Sequence, residues 1–233
     1  MQFSLVKGVK SKPSPSIKGN CIFCGELTIA KCGKYKIWHW AHKSKAKCDP
    51  WWENETEWHR KWKNYFPPAF QEIIHIDSRT NEKHIADIKT QNNMVIEFQN
   101  SSITPEEVAS REIFYKNMFW IVNGDRKGTL DGANFNISIV MLGPIVESLK
   151  PLIITFAWDS SKLFERWANS STPVFFDFNC NELFRLLSHD HKQKKVTVKL
   201  VDKKTLIEKN GGSYEESDDK YSIRNWIYQK LSQ

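Results

Sequence analysis

The stretch Lys83–Ile103, KHIADIKTQNNMVIEFQNSSI, constrains the fold most, because two apolar runs are held one short polar turn apart. His84–Ile88 and Met94–Phe98 flank the turn Lys89–Asn93 and predict two strands of a hairpin. The first run carries one carboxylate, Asp87; the second carries Glu97 and, two residues on, Gln99. Side chains alternate faces along a strand, so Glu97 and Gln99 share a face. Val95 and Ile96 argue that this strand is buried, and a buried carboxylate is costly unless it is paired or holds a cation. Two carboxylates on adjacent strands are a hard oxygen donor set of the kind Mg²⁺ prefers, with Mn²⁺ an equivalent. Satisfied carboxylates on an ordinary hairpin are the plainer alternative at this point.

The flanking sequence sets these strands in an α/β context. Phe70–Ile76 predicts a preceding strand. Thr104 can cap a helix with Pro105 at its first position, running through Ser110–Met118 with Arg111 and Tyr115 one turn apart. Phe119–Val122 predicts a buried strand, stopped by Asn123-Gly124. Later, Leu152–Trp158, Val174–Phe178 and residues 194–201 read as strands, Ser161–Trp167 and Asn181–Leu187 as helices, and Ile223–Leu231 as a last helix. Asn210–Asp219, rich in glycine and acids, reads as a loop.

Near the N-terminus a second chemistry appears. Cys21-x2-Cys24 is followed by Cys32, His39-x2-His42 and Cys48. Two thiolates at this spacing can grip one Zn²⁺ from a tight turn. Cys21, Cys24, His42 and Cys48 form the preferred tetrahedron, with His39 as the alternative to His42 and Cys32 a small core residue. A segment of about thirty residues cannot bury a useful core, so a metal would supply its folding energy.

Between the two lies WWENETEWHRKWKNYF, where Glu55, His59 and Lys63 recur every fourth residue on one helix face. Asn54 is the expected N-cap, with Glu57 closing a capping box, and Pro67–Pro68 ends the helix. On spacing alone this is a surface ion-pair ladder.

Composition bounds the partners. The net charge is +7, and ten lysines precede Asp49 against the single acid Glu26. Such a run suits a phosphate backbone, and Lys43, Lys45 and Lys47 are the expected contacts. No run of eighteen apolar residues suggests a membrane span. Five cysteines and no apolar leader argue against a disulfide framework, so a cytoplasmic protein is expected.

The pattern Asp87, a gap of about ten residues, then Glu97-x-Gln99 resembles the PD-(D/E)XK nuclease signature, with Gln for the usual Lys. IEFQNSSI followed by PEEVASREIFYKNMFWIV resembles the competence protein CoiA-like nucleases more closely, through Glu97, Phe98, Gln99, Ser101, Ile103, Arg111, Tyr115, Trp120 and Ile121. The Cys21-x2-Cys24 pair, the tetrad His39-Trp40-Ala41-His42 and the Glu55/His59/Lys63 helix resemble the same family. That resemblance implies a restriction-endonuclease-like mixed sheet over residues 50–190, a zinc-binding basic module at 1–49 and a C-terminal extension at 191–233. It implies metal-dependent hydrolysis of DNA, ahead of RNA. Asp87 and Glu97 would bind Mg²⁺ or Mn²⁺, Glu55 would assist, His59 would shuttle a proton or touch phosphate, and Gln99 would stand for the lysine. Lys63 and Arg111 would join the basic residues on the nucleic acid. A nucleic-acid-binding protein that keeps the scaffold without cutting is the competing class.

Overall fold

A computed structural model describes residues 1–43, 48–159, 161–215, 219 and 221–232, so Lys45 and Lys47 lie outside the described residues. Two compact units are present, Met1–Val95 and Ile96–Gln233.

The first unit opens with five short strands: β1 (Ser4–Val6), β2 (Val9–Ser11), β3 (Lys18–Asn20), β4 (Leu27–Lys31) and β5 (His39–His42). They form an antiparallel sheet in the order β2-β1-β3-β4-β5. The turn from β3 to β4 contains Cys21 and Cys24 and closes with Cys21 N–H donating to Glu26 O (2.8 Å) and Gly25 N–H to Cys21 O (3.0 Å). Gly25 sits at φ +75°, a conformation costly for any residue with a Cβ, so the turn tightens there. Met1, Cys21 and Trp40 form a small buried core, with Val6, Phe23 and Ala30 packed around it.

Helix α1 (Glu57–Asn64) follows, with N-cap Thr56 in place of the expected Asn54. Thr56 Oγ1 accepts from His59 N–H (3.3 Å) and lies 2.9 Å from His59 Nδ1, a capping box in which histidine takes the usual Glu or Gln role. Thr56 lies three residues before His59, where its hydroxyl reaches the third helical N–H; Asn54 lies two residues too early. Strands β6 (Gln71–Ile76) and β7 (Lys83–Lys89) then pair antiparallel. Along β7, His84, Ala86 and Ile88 are buried while Ile85 and Asp87 are half-buried, the period of two expected of a strand.

The second unit begins within β8 (Val95–Gln99), all of whose residues are buried. There follow α2 (Pro105–Tyr115), β9 (Met118–Asn123), α3 (Asp131–Asn136) with a π-helical turn at Ile137–Met141, β10 (Ile145–Leu149) and β11 (Leu152–Ala157). The chain ends with β12 (Val174–Asp177), β13 (Glu182–Asp190), β14 (Lys195–Asp202), α4 (Lys203–Lys209) and α5 (Ile223–Leu231). The strands of this unit lie in the order β10-β11-β14-β13-β12-β9-β8. β9 and β12 run parallel, while β12-β13, β13-β14, β14-β11 and β11-β10 are antiparallel, so the sheet is mixed and helices flank it. Thr104 caps α2 with Pro105 at its first position, as the sequence predicts.

Two stretches depart from the helical expectation. Asn181–Leu187 lies in strand β13, and Ser161–Trp167 retains only a 3₁₀ turn at Glu165–Trp167. Leucine and arginine are strong helix formers, but pairing of β13 with β12 on one side and β14 on the other overrides that preference. The core is aromatic: Phe135 stacks on Phe178 at 4.0 Å, and Phe164 and Phe184 meet the same ring. Gly124 makes room for it, since a Cβ there would stand 2.5 Å from the Phe178 ring. No helix among the described residues is long and apolar enough to cross a membrane.

Candidate functional site

The ligand set expected near the N-terminus comes together in space. The sulfurs of Cys21, Cys24 and Cys48 and a ring nitrogen of His42 all lie within 4.8 Å of one another. Cys21 Sγ is 3.7 Å from Cys48 Sγ, and Cys24 Sγ is 3.2 Å from His42 Nε2. Four tetrahedral ligands about 2.3 Å from one ion stand about 3.8 Å apart, so the group can hold a structural metal such as zinc. Three soft sulfurs and one imidazole suit zinc and exclude magnesium. His42 completes the group from β5, whereas His39 Nδ1 lies 2.8 Å from Ile37 O. Burial pushes the Cys21 thiol up and the Cys48 thiol to about 12, so both need a cation beside them to ionise. Burial lowers His42, which keeps its imidazole in the neutral form that ligates. Cys48 is anchored by its neighbour. Asp49 accepts from Ile85 N–H at 2.6 Å and lies 2.8 Å from His84 Nδ1, and Trp51 stacks on the His84 ring.

A second cluster in the same unit gathers the helix and strand residues. Lys63, on α1, has its Nζ 2.9 Å from Asp87, 3.2 Å from Glu72 and 3.6 Å from Glu55. Gln71 pairs with Ile88 and Ile73 with Ala86, so Glu72 and Asp87 fall opposite each other on β6 and β7. Like charges directly opposite repel, and the ammonium between them removes the repulsion. Glu72 also accepts from the backbone N–H groups of Gln2 (2.7 Å) and Phe3 (3.0 Å). Burial works against Lys63 as a cation, but Asp87 first and then Glu72 and Glu55 raise it well above its ordinary value. Burial would raise Glu55 too; Lys63 and the Arg60 hydrogen bond outweigh it and bring Glu55 to about 2. His59 is lowered by burial, with Asp87 opposing, so its ring is neutral at pH 7. Lys63 and Glu55 are closed off at 6% and 4% side-chain exposure, and Asp87 at 22% is the most open carboxylate on the ammonium.

In the second unit Glu97 and Gln99 lie buried on β8. Arg111, from α2, puts Nη1 3.3 Å from Glu97 Oε2 and Nη2 2.5 Å from Glu107 Oε1, and its guanidinium lies over Trp120. Gln99 donates through Nε2 to Ser101 O (3.2 Å) and Ser101 Oγ (3.3 Å). Arg111 and Lys63 therefore face carboxylates rather than solvent, while Lys43 is exposed.

Sequence reasoning missed Glu72, the third carboxylate on Lys63. It lies in β6 at φ +47°, and nothing in the spacing of the chain points to it. Glu112 was also missed. Its carboxylate takes bonds from Trp120 Nε1, Ser171 N and Oγ, Thr172 Oγ1 and Ser170 Oγ, tying α2 to β9 and to the segment before β12. Comparison with protein-family models, with curated proteins and with solved structures finds no match to this chain.

Proposed function

We propose that this chain is a metal-dependent nuclease acting on DNA, with a restriction-endonuclease-like core similar to that of the CoiA-like proteins and a zinc-stabilised N-terminal module. The observation that supports it best is the convergence of Glu55, just before the N-cap of α1, with His59 and Lys63 of that helix and Asp87 of β7 onto one buried acid–base cluster. Lysine beside an acid is what the Gln99 exchange takes away from β8, and α1 supplies one from elsewhere in the chain.

Asp87 and Glu97, with Glu55 assisting, are the proposed ligands of one Mg²⁺ or Mn²⁺. Their all-oxygen donor set fits a hard cation. When bound, such an ion supplies Lewis-acid charge for the scissile phosphate and lowers the pKa of a water. The residues do the rest. Lys63 holds the Asp87 carboxylate in place at 2.9 Å, and neutral His59 can take a proton at pH 7. Arg111 does for Glu97 what Lys63 does for Asp87. The Gln99 amide can orient a water or donate to a phosphate oxygen but carries no charge. Exposed Lys43 and its neighbours Lys45 and Lys47 supply phosphate contacts.

A second reading, nucleic-acid binding without cutting, is favoured by the burial of Lys63. An ammonium already shared by three carboxylates is also how a purely structural ion cluster looks. Incubation of the protein with linear duplex and single-stranded DNA, with Mg²⁺, Mn²⁺ or EDTA, separates the two. Metal-dependent cutting supports the first; binding with no cutting under any metal supports the second.

A further inference from the structure

A cleft of about 270 Å³ opens in the second unit, and none of its lining residues is assigned a role above. Arg126, Lys162 and Arg166 line it, with Thr129, Asn134 and Ser161 adding hydroxyl and amide groups. Three cations face one carboxylate in that lining, Asp131, whose Oδ2 stands 3.6 Å from Arg126 Nη2. Arg126 Nε is buried and makes no hydrogen bond among the described residues. Leu130 and Leu163 supply apolar walls, which strengthen charge interactions inside. A small crevice of about 10 Å³, bordered by Ser101, Arg126, Arg166 and Trp167, lies beside the cleft and shares Arg126, Leu163 and Arg166 with it. There Arg166 donates to Ser102 Oγ at 3.3 Å, and Gln99 donates to Ser101.

We propose that this cleft is a phosphate subsite that takes a backbone phosphate of a polynucleotide, an assignment that rests on the nucleic-acid reading above. The cleft lies below the roughly 300–1,000 Å³ of sites that enclose organic ligands, so a compact ionic group suits it better. Two guanidinium forks match the oxygens of a tetrahedral oxyanion, and Lys162, exposed at the rim, adds a point charge. Arg166 also donates to Ser102 Oγ, so the hydroxyls of the segment after Gln99 stand beside the same basic rim that a polynucleotide phosphate would meet.

The test is binding, not cutting, so that its failure and the failure of the nuclease reading are distinguishable. Fluorescence anisotropy with a single-stranded oligonucleotide in EDTA, across a salt series, compares wild type with Lys162→Gln/Arg166→Gln and with the control Lys204→Gln/Lys209→Gln on α4. Arg126 is left in place because it pairs with Asp131. Two lost phosphate contacts should lower the slope of log K against log salt by about 1.4 and weaken binding on the order of 25-fold at about 0.1 M salt. The control should bind like wild type, and all three proteins should melt alike. Inorganic phosphate at millimolar concentration should protect the wild-type cleft only weakly. Unchanged slope and affinity in the cleft variant, an equal loss in the control, or wild type that binds inorganic phosphate but no oligonucleotide would each overturn the assignment.

Discussion

Lys63 is the residue on which the first unit's charges depend. Three carboxylates meet its ammonium, so Lys63→Met leaves them facing one another in a buried site. Removing one partner of a buried ion pair costs about 3–5 kcal/mol. The variant should therefore melt about 10 °C below wild type by calorimetry, at 2–4 °C per kcal/mol. Glu55 makes a separate prediction through pH. Its folded-state value, about 2, lies below the ordinary 4.5, so it contributes stability above pH 4.5 that is lost as the pH falls toward 2. Melting temperature should fall across that window in wild type and fall less steeply in Glu55→Gln; parallel curves would contradict the pairing. The thiolate group makes a third. Purified protein should carry about one zinc per chain by elemental analysis, and Cys24→Ser should lose it along with melting temperature. A folded wild type without zinc would remove the metal from the account.

Helix α1 carries both His59 and Lys63, and its start is set by one hydroxyl. Thr56→Ala should cost about 1 kcal/mol, and Thr56→Ser should restore most of it. A thermal melt that does not distinguish the three would show that packing alone sets the helix. At this scale much was legible from the chain. The runs of β6, β7 and β9, the capped helix α2 and the last helix all follow from apolar periodicity and cap residues. The order Cys21, Cys24, His42, Cys48 was legible because ligand spacing is short-range chemistry. What was not legible is set by distant partners. β13 is a strand because β12 and β14 pair with it, against the local preference of Leu and Arg. Glu72 joins Lys63 only because β6 and β7 pair in one register, and Glu112 is satisfied by hydroxyls some sixty positions away. The surface ladder expected of Glu55, His59 and Lys63 is not formed: Glu55 falls before the helix N-cap, and all three side chains are buried, as are Trp62 of the helix and Phe66 after it.

For the whole molecule, the excess of ten lysines over one acid before Asp49 and the basic cleft of the second unit both favour a polyanionic partner. The central claim is narrower: that Asp87 serves a divalent cation in cutting DNA. The direct measurement is cleavage of linear and single-stranded DNA with Mg²⁺ or Mn²⁺ by wild type, Asp87→Ala and Asp87→Asn, at matched salt, with Glu97→Ala and Gln99→Lys alongside. Melting curves and metal-free binding serve as checks on folding. Wild type should cut only with the divalent ion. Both Asp87 variants should fall roughly a hundredfold or more while still binding DNA, because the lost charge acts on cation and transition state. Glu97→Ala should fall likewise, and Gln99→Lys should cut at least as fast as wild type. Equal cutting by wild type and both Asp87 variants, cutting that persists in EDTA, or no cutting by wild type with any divalent metal would contradict the account.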